Sequence, residues 1–199
     1  GDLLRRYPDP IAGAFRQEAS QVLGVPADWI LAGNGSDDLL TMIIRACSEP
    51  GQGVVYPMPT YVLYRTLAQI QGAEFVEVPY HEDYSLPVEQ LIEAQGAVTF
   101  VASPNSPSGT VASVELLDKL ASQLSGVLVI DEAYVDFAES DALELVKKYD
   151  NVIVLRTLSK GYSLAGLRLG FGVANHSLLE GLIKVKDRYN VDAVACAVG

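Results

Sequence analysis

The chain has 199 residues, 49% of them hydrophobic and 20% charged, which suits one sizeable α/β domain and is too apolar for a disordered chain. Its 25 acidic residues outnumber 14 basic ones, and the resulting net charge of −11 repels phosphate backbones, arguing against nucleic acid as a partner. Any anionic ligand must therefore be held by local groups rather than by the overall field.

The first element is a helix opening at Asp9-Pro10, where Asp9 can cap and Pro10 suits the first turn, and Gly24 ends it. Strands and helices then alternate. Short β-rich runs fall at residues 29–32, 53–56, 74–78, 98–102, 127–130, 152–155 and 169–173, with helical periodicity between several of them, as at 37–47, 61–71 and 114–124. The central runs are continuously apolar, as in strands covered on both faces. Repeated β-then-α units predict a three-layer α/β/α fold around a mostly parallel seven-stranded sheet. Ligands of such sheets bind beyond the carboxyl ends of the strands.

The two cysteines, Cys47 and Cys196, lie in apolar surroundings and read as buried reduced thiols, and the two histidines, His81 and His176, lack metal-ligand spacing. The longest apolar run, 97–102, is strand-sized, no signal-peptide pattern opens the sequence, and the chain reads as cytoplasmic with no membrane partner. No repeat, low-complexity stretch or linker interrupts it. Both ends are abrupt, as in a domain of a longer polypeptide.

Five post-strand loops carry unusual chemistry. Gly33-Asn34-Gly35-Ser36-Asp37-Asp38 opens a helix, so its amides can bind a phosphate or simply form a turn and cap; Asp38 stands where a dinucleotide fingerprint needs its third glycine. Tyr56-Pro57-Met58-Pro59-Thr60-Tyr61 offers Thr60 as a helix cap and Tyr61 as an aromatic for stacking or for the core. Ser103-Pro104-Asn105-Ser106-Pro107-Ser108-Gly109-Thr110 is either a turn or a rigid holder of the Asn105 amide. Asp131 ends a wholly apolar strand ahead of Glu132-Ala133-Tyr134, and a buried carboxylate there needs a partner: a protonated heterocyclic nitrogen, a cap or a metal. Last, Lys160 sits among hydroxyls and glycines in the loop from Arg156 to Gly170. In a cleft beside Arg168 its pKa would fall and its amine could act as a nucleophile. Gly161-Tyr162-Ser163-Leu164-Ala165 nearly matches a serine-hydrolase elbow, but the last glycine is missing and neither histidine is persuasive as a base.

In combination these loops resemble the fold-type-I pyridoxal-phosphate aminotransferases, in the histidinol-phosphate aminotransferase branch. The similarity runs in order along the chain, from Arg6-Tyr7-Pro8-Asp9-Pro10 through Asn105-Ser106-Pro107-Ser108-Gly109-Thr110 and Asp131-Glu132-Ala133-Tyr134 to Arg156-Thr157-Leu158-Ser159-Lys160, Leu164-Ala165-Gly166-Leu167-Arg168 and Tyr189-Asn190-Val191. Ser106 and Ser108 depart from the family, which more often has Asn and Thr there.

The resemblance implies that residues 1–199 form the large domain that binds pyridoxal 5'-phosphate, with the family's N-terminal arm and C-terminal small domain outside this sequence. It implies that Lys160 holds the cofactor covalently and shuttles the proton, that Asp131 pairs with the pyridinium nitrogen, and that Asn105 and Tyr134 bond the ring hydroxyl oxygen. Tyr61 would stack on the ring. The phosphate would lie on the amides of Gly35, Ser36 and Asp37, with donors from Thr157, Ser159 and Arg168. Tyr7 would reach the phosphate of the other subunit of a homodimer. The activity implied is transamination between L-histidinol phosphate and 2-oxoglutarate in histidine biosynthesis. An aromatic amino-acid aminotransferase, a threonine-phosphate decarboxylase of the same branch and a non-catalytic module of the same fold are the alternatives.

Overall fold

The computed structural model describes residues 3–199. Seven strands, β1 (Ile30–Asn34), β2 (Gly53–Met58), β3 (Glu74–Pro79), β4 (Val98–Ala102), β5 (Val127–Asp131), β6 (Val152–Thr157) and β7 (Leu169–Ala174), form one sheet in the order β1-β7-β6-β5-β4-β2-β3. All seven lie where the apolar runs predict them, within a residue or two at each end. Their helices are α1 (Gly13–Leu23), α2 (Ser36–Cys47), α3 (Leu63–Gln71), α4 (Val88–Ala94), α5 (Val114–Gln123), α6 (Leu145–Lys148), α7 (His176–Ile183) and α8 (Ala193–Val198).

Side chains of successive strand residues point to opposite faces, and in the central strands both faces are dry. In β5, Leu128 and Ile130 enter the core shared with α1, α4, α5, α6 and α8, while Val129 enters the core shared with α2, α3 and α7. Each fully buried Leu, Ile or Val of this kind contributes about 1.5–3 kcal/mol. Three layers result. Among the described residues no helix is long and apolar enough to cross a membrane.

One strand breaks the parallel pattern. β7 runs antiparallel to both β6 and β1. Between β6 and β7 the chain makes no covering helix; the Leu158 N–H donates to the Leu169 carbonyl at 3.0 Å, doubling the backbone back within one loop. A parallel return would need a longer crossover. The reversal brings the start of β7, and Arg168 just before it, to the edge where β4, β5 and β6 end.

Three local expectations are corrected. The first helix begins at Gly13, after Ala12 in a left-handed conformation, yet Asp9 still caps it: its carboxylate accepts from the Gly13 N–H at 2.7 Å and the Ile11 N–H at 3.1 Å. Thr60 caps nothing, because α3 starts at Leu63 and the Thr60 hydroxyl donates instead to Asn105 Oδ1 at 2.7 Å. Cys47 and Cys196 are free thiols but half-buried rather than buried.

Candidate active site

β4, β5 and β6 place Ala102, Asp131 and Leu155 side by side, so the residues that follow them emerge at one sheet edge. Opposite them stands the start of α2, which begins immediately after β1. A cleft lies between these parts.

Asp131 forms the floor. It is 5% exposed, and its carboxylate accepts from the Tyr64 hydroxyl at 2.7 Å and the Ala133 N–H at 3.1 Å. Burial pushes its carboxyl above the ordinary range; the two hydrogen bonds oppose this, and the charge of Asp37 adds to it. No lysine or arginine among the described residues pairs with it. A desolvated carboxylate served only by neutral donors is matched to a cation arriving from the cleft.

The far end is rich in donors. Gly35 has φ 77°, which a side chain would resist, and the turn it makes exposes the first amides of the twelve-residue α2. A Cβ on Gly170 would lie 2.5 Å from the Ser36 nitrogen, so only glycine lets β7 pass this close to the helix start. The Thr157 hydroxyl donates to Ser159 Oγ at 3.0 Å, and Arg168 Nη1 donates to the same oxygen at 3.4 Å. Arg168 Nη2 lies 3.5 Å from Asp37 Oδ2, and the Tyr61 hydroxyl donates to Asp37 Oδ1 at 3.2 Å. A helix N-terminus, two hydroxyls and a guanidinium gathered at this end of the cleft are groups able to receive an anion.

Lys160 enters the same cleft from the loop after β6, with Nζ 5.2 Å from the centre of the Tyr134 ring. Asp131 and Lys160 therefore line one and the same cleft.

Of the residues singled out in the sequence, Ser36, Asp37, Tyr61, Asp131, Tyr134, Thr157, Ser159, Lys160 and Arg168 line this cleft; Gly35 does not, and its amide, expected to face a phosphate, donates to the Gly33 carbonyl at 2.8 Å within the turn. Asn105 does not line it. Its Nδ2 donates to the Pro59 carbonyl at 3.0 Å and to Ser108 Oγ at 2.8 Å, so the amide braces the cleft wall from behind. Tyr7 lies elsewhere: it is 80% exposed and stacks on Tyr189 with ring centres 4.5 Å apart. Neither histidine lines the cleft and Ser163 is exposed, leaving the hydrolase reading without a base.

Two contributors escaped the sequence reading. Tyr64, fully buried, is three residues beyond Tyr61, and that helical spacing reads as core. Glu132 is 2% exposed and accepts from Arg156 Nε at 2.9 Å, while Arg156 Nη2 pairs with Asp141 at 2.9 Å. Burial pushes the Glu132 carboxyl up to about 7 against the pull of Arg156. This cluster ties the end of β5 to β6 behind the cleft.

The family model for "Aminotransferase class I and II" matches residues 1–199. Two relatives named histidinol-phosphate aminotransferase 1 are similar to the entire chain: that of Trichormus variabilis at 68% identity, with 57% of its own length covered, and that of Nostoc sp. at 65%, with 56% covered. The chain thus spans just over half the length of these relatives. The crystal structure of histidinol-phosphate aminotransferase from Sinorhizobium meliloti in complex with pyridoxal-5'-phosphate superimposes with a TM-score of 0.91 at 30% identity, over 98% of this chain and 55% of that one. With its sheet, its cleft and a family match over its full length, the chain belongs to the class I and II aminotransferases.

Proposed function

We propose that this chain is the cofactor-holding domain of a pyridoxal-5'-phosphate-dependent aminotransferase that moves the amino group of L-histidinol phosphate to 2-oxoglutarate. The observation that carries the reading is the placement of Asp131, Lys160 and the Arg168 anion site on one cleft. The names of the relatives supply the substrate.

The residues present fit the cofactor. The donor set at the start of α2 suits a phosphate, the flat ring of Tyr61 stands at the wall, and Asp131 is a buried acceptor lacking a cation. When bound, pyridoxal phosphate supplies an aldehyde that joins to amines and a protonated ring that draws electrons from the substrate carbon.

The protein's part is to bind, orient and move protons. The Ser36 and Asp37 amides, Thr157, Ser159 and Arg168 hold the phosphate, and Arg168 exchanges its contact with Asp37 for the stronger one. Tyr61 covers one ring face. Tyr134 donates to the ring oxygen, and Asn105, held by Thr60, Pro59 and Ser108, keeps the wall behind it rigid. Asp131 keeps the ring nitrogen protonated by charge. Lys160 Nζ would hold the cofactor covalently and, when free, would serve as the base that moves a proton at the substrate α-carbon. Tyr7 projects from the surface of one subunit towards the phosphate of the other in a cytoplasmic homodimer.

The test is turnover by the full-length protein. Glutamate should form from L-histidinol phosphate and 2-oxoglutarate far faster than from phenylalanine or tyrosine. Preference for an aromatic amino acid, or release of carbon dioxide from threonine phosphate, would move the assignment to a neighbouring activity. No cofactor-dependent reaction with any amine would end it.

A further inference from the structure

Asp131 is held by two donors of different origin. The Ala133 N–H belongs to its own loop and bonds Oδ1, whereas the Tyr64 hydroxyl comes from α3, across the cleft floor, and bonds Oδ2 at 2.7 Å. We propose that Tyr64 is a positioning residue: its hydroxyl locks the Asp131 carboxylate in orientation and keeps it an anion facing the ring nitrogen of the cofactor. This rests on pyridoxal phosphate being the ligand of the cleft.

The geometry supports more than a packing role. The Tyr64 ring stacks on Phe100 with centres 4.7 Å apart and planes 9° apart, and meets Tyr61 edge-on at 5.8 Å. A ring seated on two sides gives its hydroxyl a fixed position, so the donor needs no reorganisation to serve Asp131. Phenylalanine would fill the same seat; only the hydroxyl distinguishes tyrosine there. Each carboxylate oxygen accepting one bond retains a lone pair for the cleft. The same side chain also abuts Tyr61, so one residue sets both the stacking platform and the partner of the ring nitrogen.

The electrostatics point the same way. The charged and titratable groups around Asp131 are Tyr61 just before α3, Tyr64 from α3, Asp37 from α2, Tyr134 after β5, and Lys160 and Arg168 from the loop between β6 and β7. Burial and Asp37 push the Asp131 carboxyl up, and the Tyr64 hydrogen bond opposes them more strongly than the Ala133 one does. Burial in turn keeps the Tyr64 phenol far above its ordinary range, so it stays a donor at any working pH.

The test uses full-length holoenzyme carrying Tyr64→Phe, Asp131→Asn and both. Cofactor affinity is read by titration with pyridoxal phosphate, and the pH midpoint of the bound cofactor's visible absorbance is read alongside. Tyr64→Phe should weaken affinity about ten-fold, the scale of a hydrogen bond to a charged group. It should also raise the midpoint, because a ring nitrogen that has lost its proton no longer opposes a proton at the lysine end. In the Asp131→Asn background the same change should cost less than about two-fold, since the partner is gone. An unchanged midpoint, or an equal loss in both backgrounds, would overturn the proposal and leave Tyr64 a core residue. If Tyr64→Phe does not fold, 3-fluorotyrosine inserted at position 64 keeps the shape and strengthens the donor, so the midpoint must fall; no shift refutes the idea. Wild-type protein that failed to bind the cofactor would instead sink the functional reading itself.

Discussion

Arg168 lies across Gly35 so closely that a Cβ at position 35 would come within 2.5 Å of Nη2. Gly35 also holds φ at 77°, a region that costs an L side chain about 1–2 kcal/mol. Gly35→Ala should therefore do two things at once: destabilise the cofactor-free protein by about that amount, and displace the guanidinium from the anion site. Denaturant unfolding measures the first. The second is read as a fall in affinity for pyridoxal phosphate, with affinity for pyridoxal, which has no phosphate, unaffected. Equal losses for both ligands would mean that Arg168 had not moved.

Lys160 is the residue on which the chemistry turns. Borohydride reduction of the full-length holoenzyme should attach the cofactor to the peptide containing Lys160, as peptide mass mapping would show. Lys160→Ala should abolish transamination while the cofactor still binds reversibly. Labelling of another lysine, or retained turnover in the variant, contradicts the assignment.

Asp131→Asn separates stability from function. Because burial raises the native carboxyl above its ordinary value of 3.8, the native state binds this proton more readily than the unfolded state does. Its contribution to stability is thus fully present below the unfolded value and is lost as pH rises through the native one. Near neutral pH the empty site carries a costly buried charge, and the amide removes it. Cofactor-free Asp131→Asn should melt above the wild type at about pH 7, with the gap closing on acidification. Its turnover should fall much further than its cofactor affinity. A lower melting temperature near neutrality would show that the carboxylate stabilises the empty fold.

Cys47 offers a chemical probe of the folded state. Burial pushes its thiol up to about 11 from an ordinary 9.0. A two-unit rise lowers the thiolate fraction near pH 8 about a hundred-fold. Iodoacetamide should modify Cys47 slowly in the native protein and rapidly after unfolding, followed by mass spectrometry. Comparable rates in both states would place the thiol in water.

All seven strands were legible because each is a short β-rich run bounded by glycine, proline or polar residues, and all but the edge strand β3 are dry on both faces. The direction of β7 was not, since it is set by a loop that returns without a helix, and apolar composition is blind to chain direction. The short helices α4, α6 and α8 bury too few residues to show a period. In the site, polar residues stranded at the ends of apolar strands, Asp131 and Thr157 among them, announced themselves. Tyr64 did not, because a buried aromatic at helical spacing looks the same whether or not its hydroxyl touches a carboxylate. Thr60 resembled a cap only because its true partner, Asn105, is distant in sequence.

The antiparallel strand also sets an order of assembly. Ile30 pairs with Val173 and Asn34 with Leu169, so β1, made early, has no hydrogen-bonding neighbour in the sheet until β7 exists. During synthesis on the ribosome β2 to β5 can pair among themselves while β1 waits, an unmatched apolar edge. Contacts this remote in sequence are slow to form and open to mispairing. The half of the anion site that β1 leads into, the turn at Gly35 and the start of α2, therefore gains its opposing wall, Arg168, only when nearly the whole domain has left the ribosome. A nascent chain stalled before β7 would hold Asp131 but have no complete place for a phosphate.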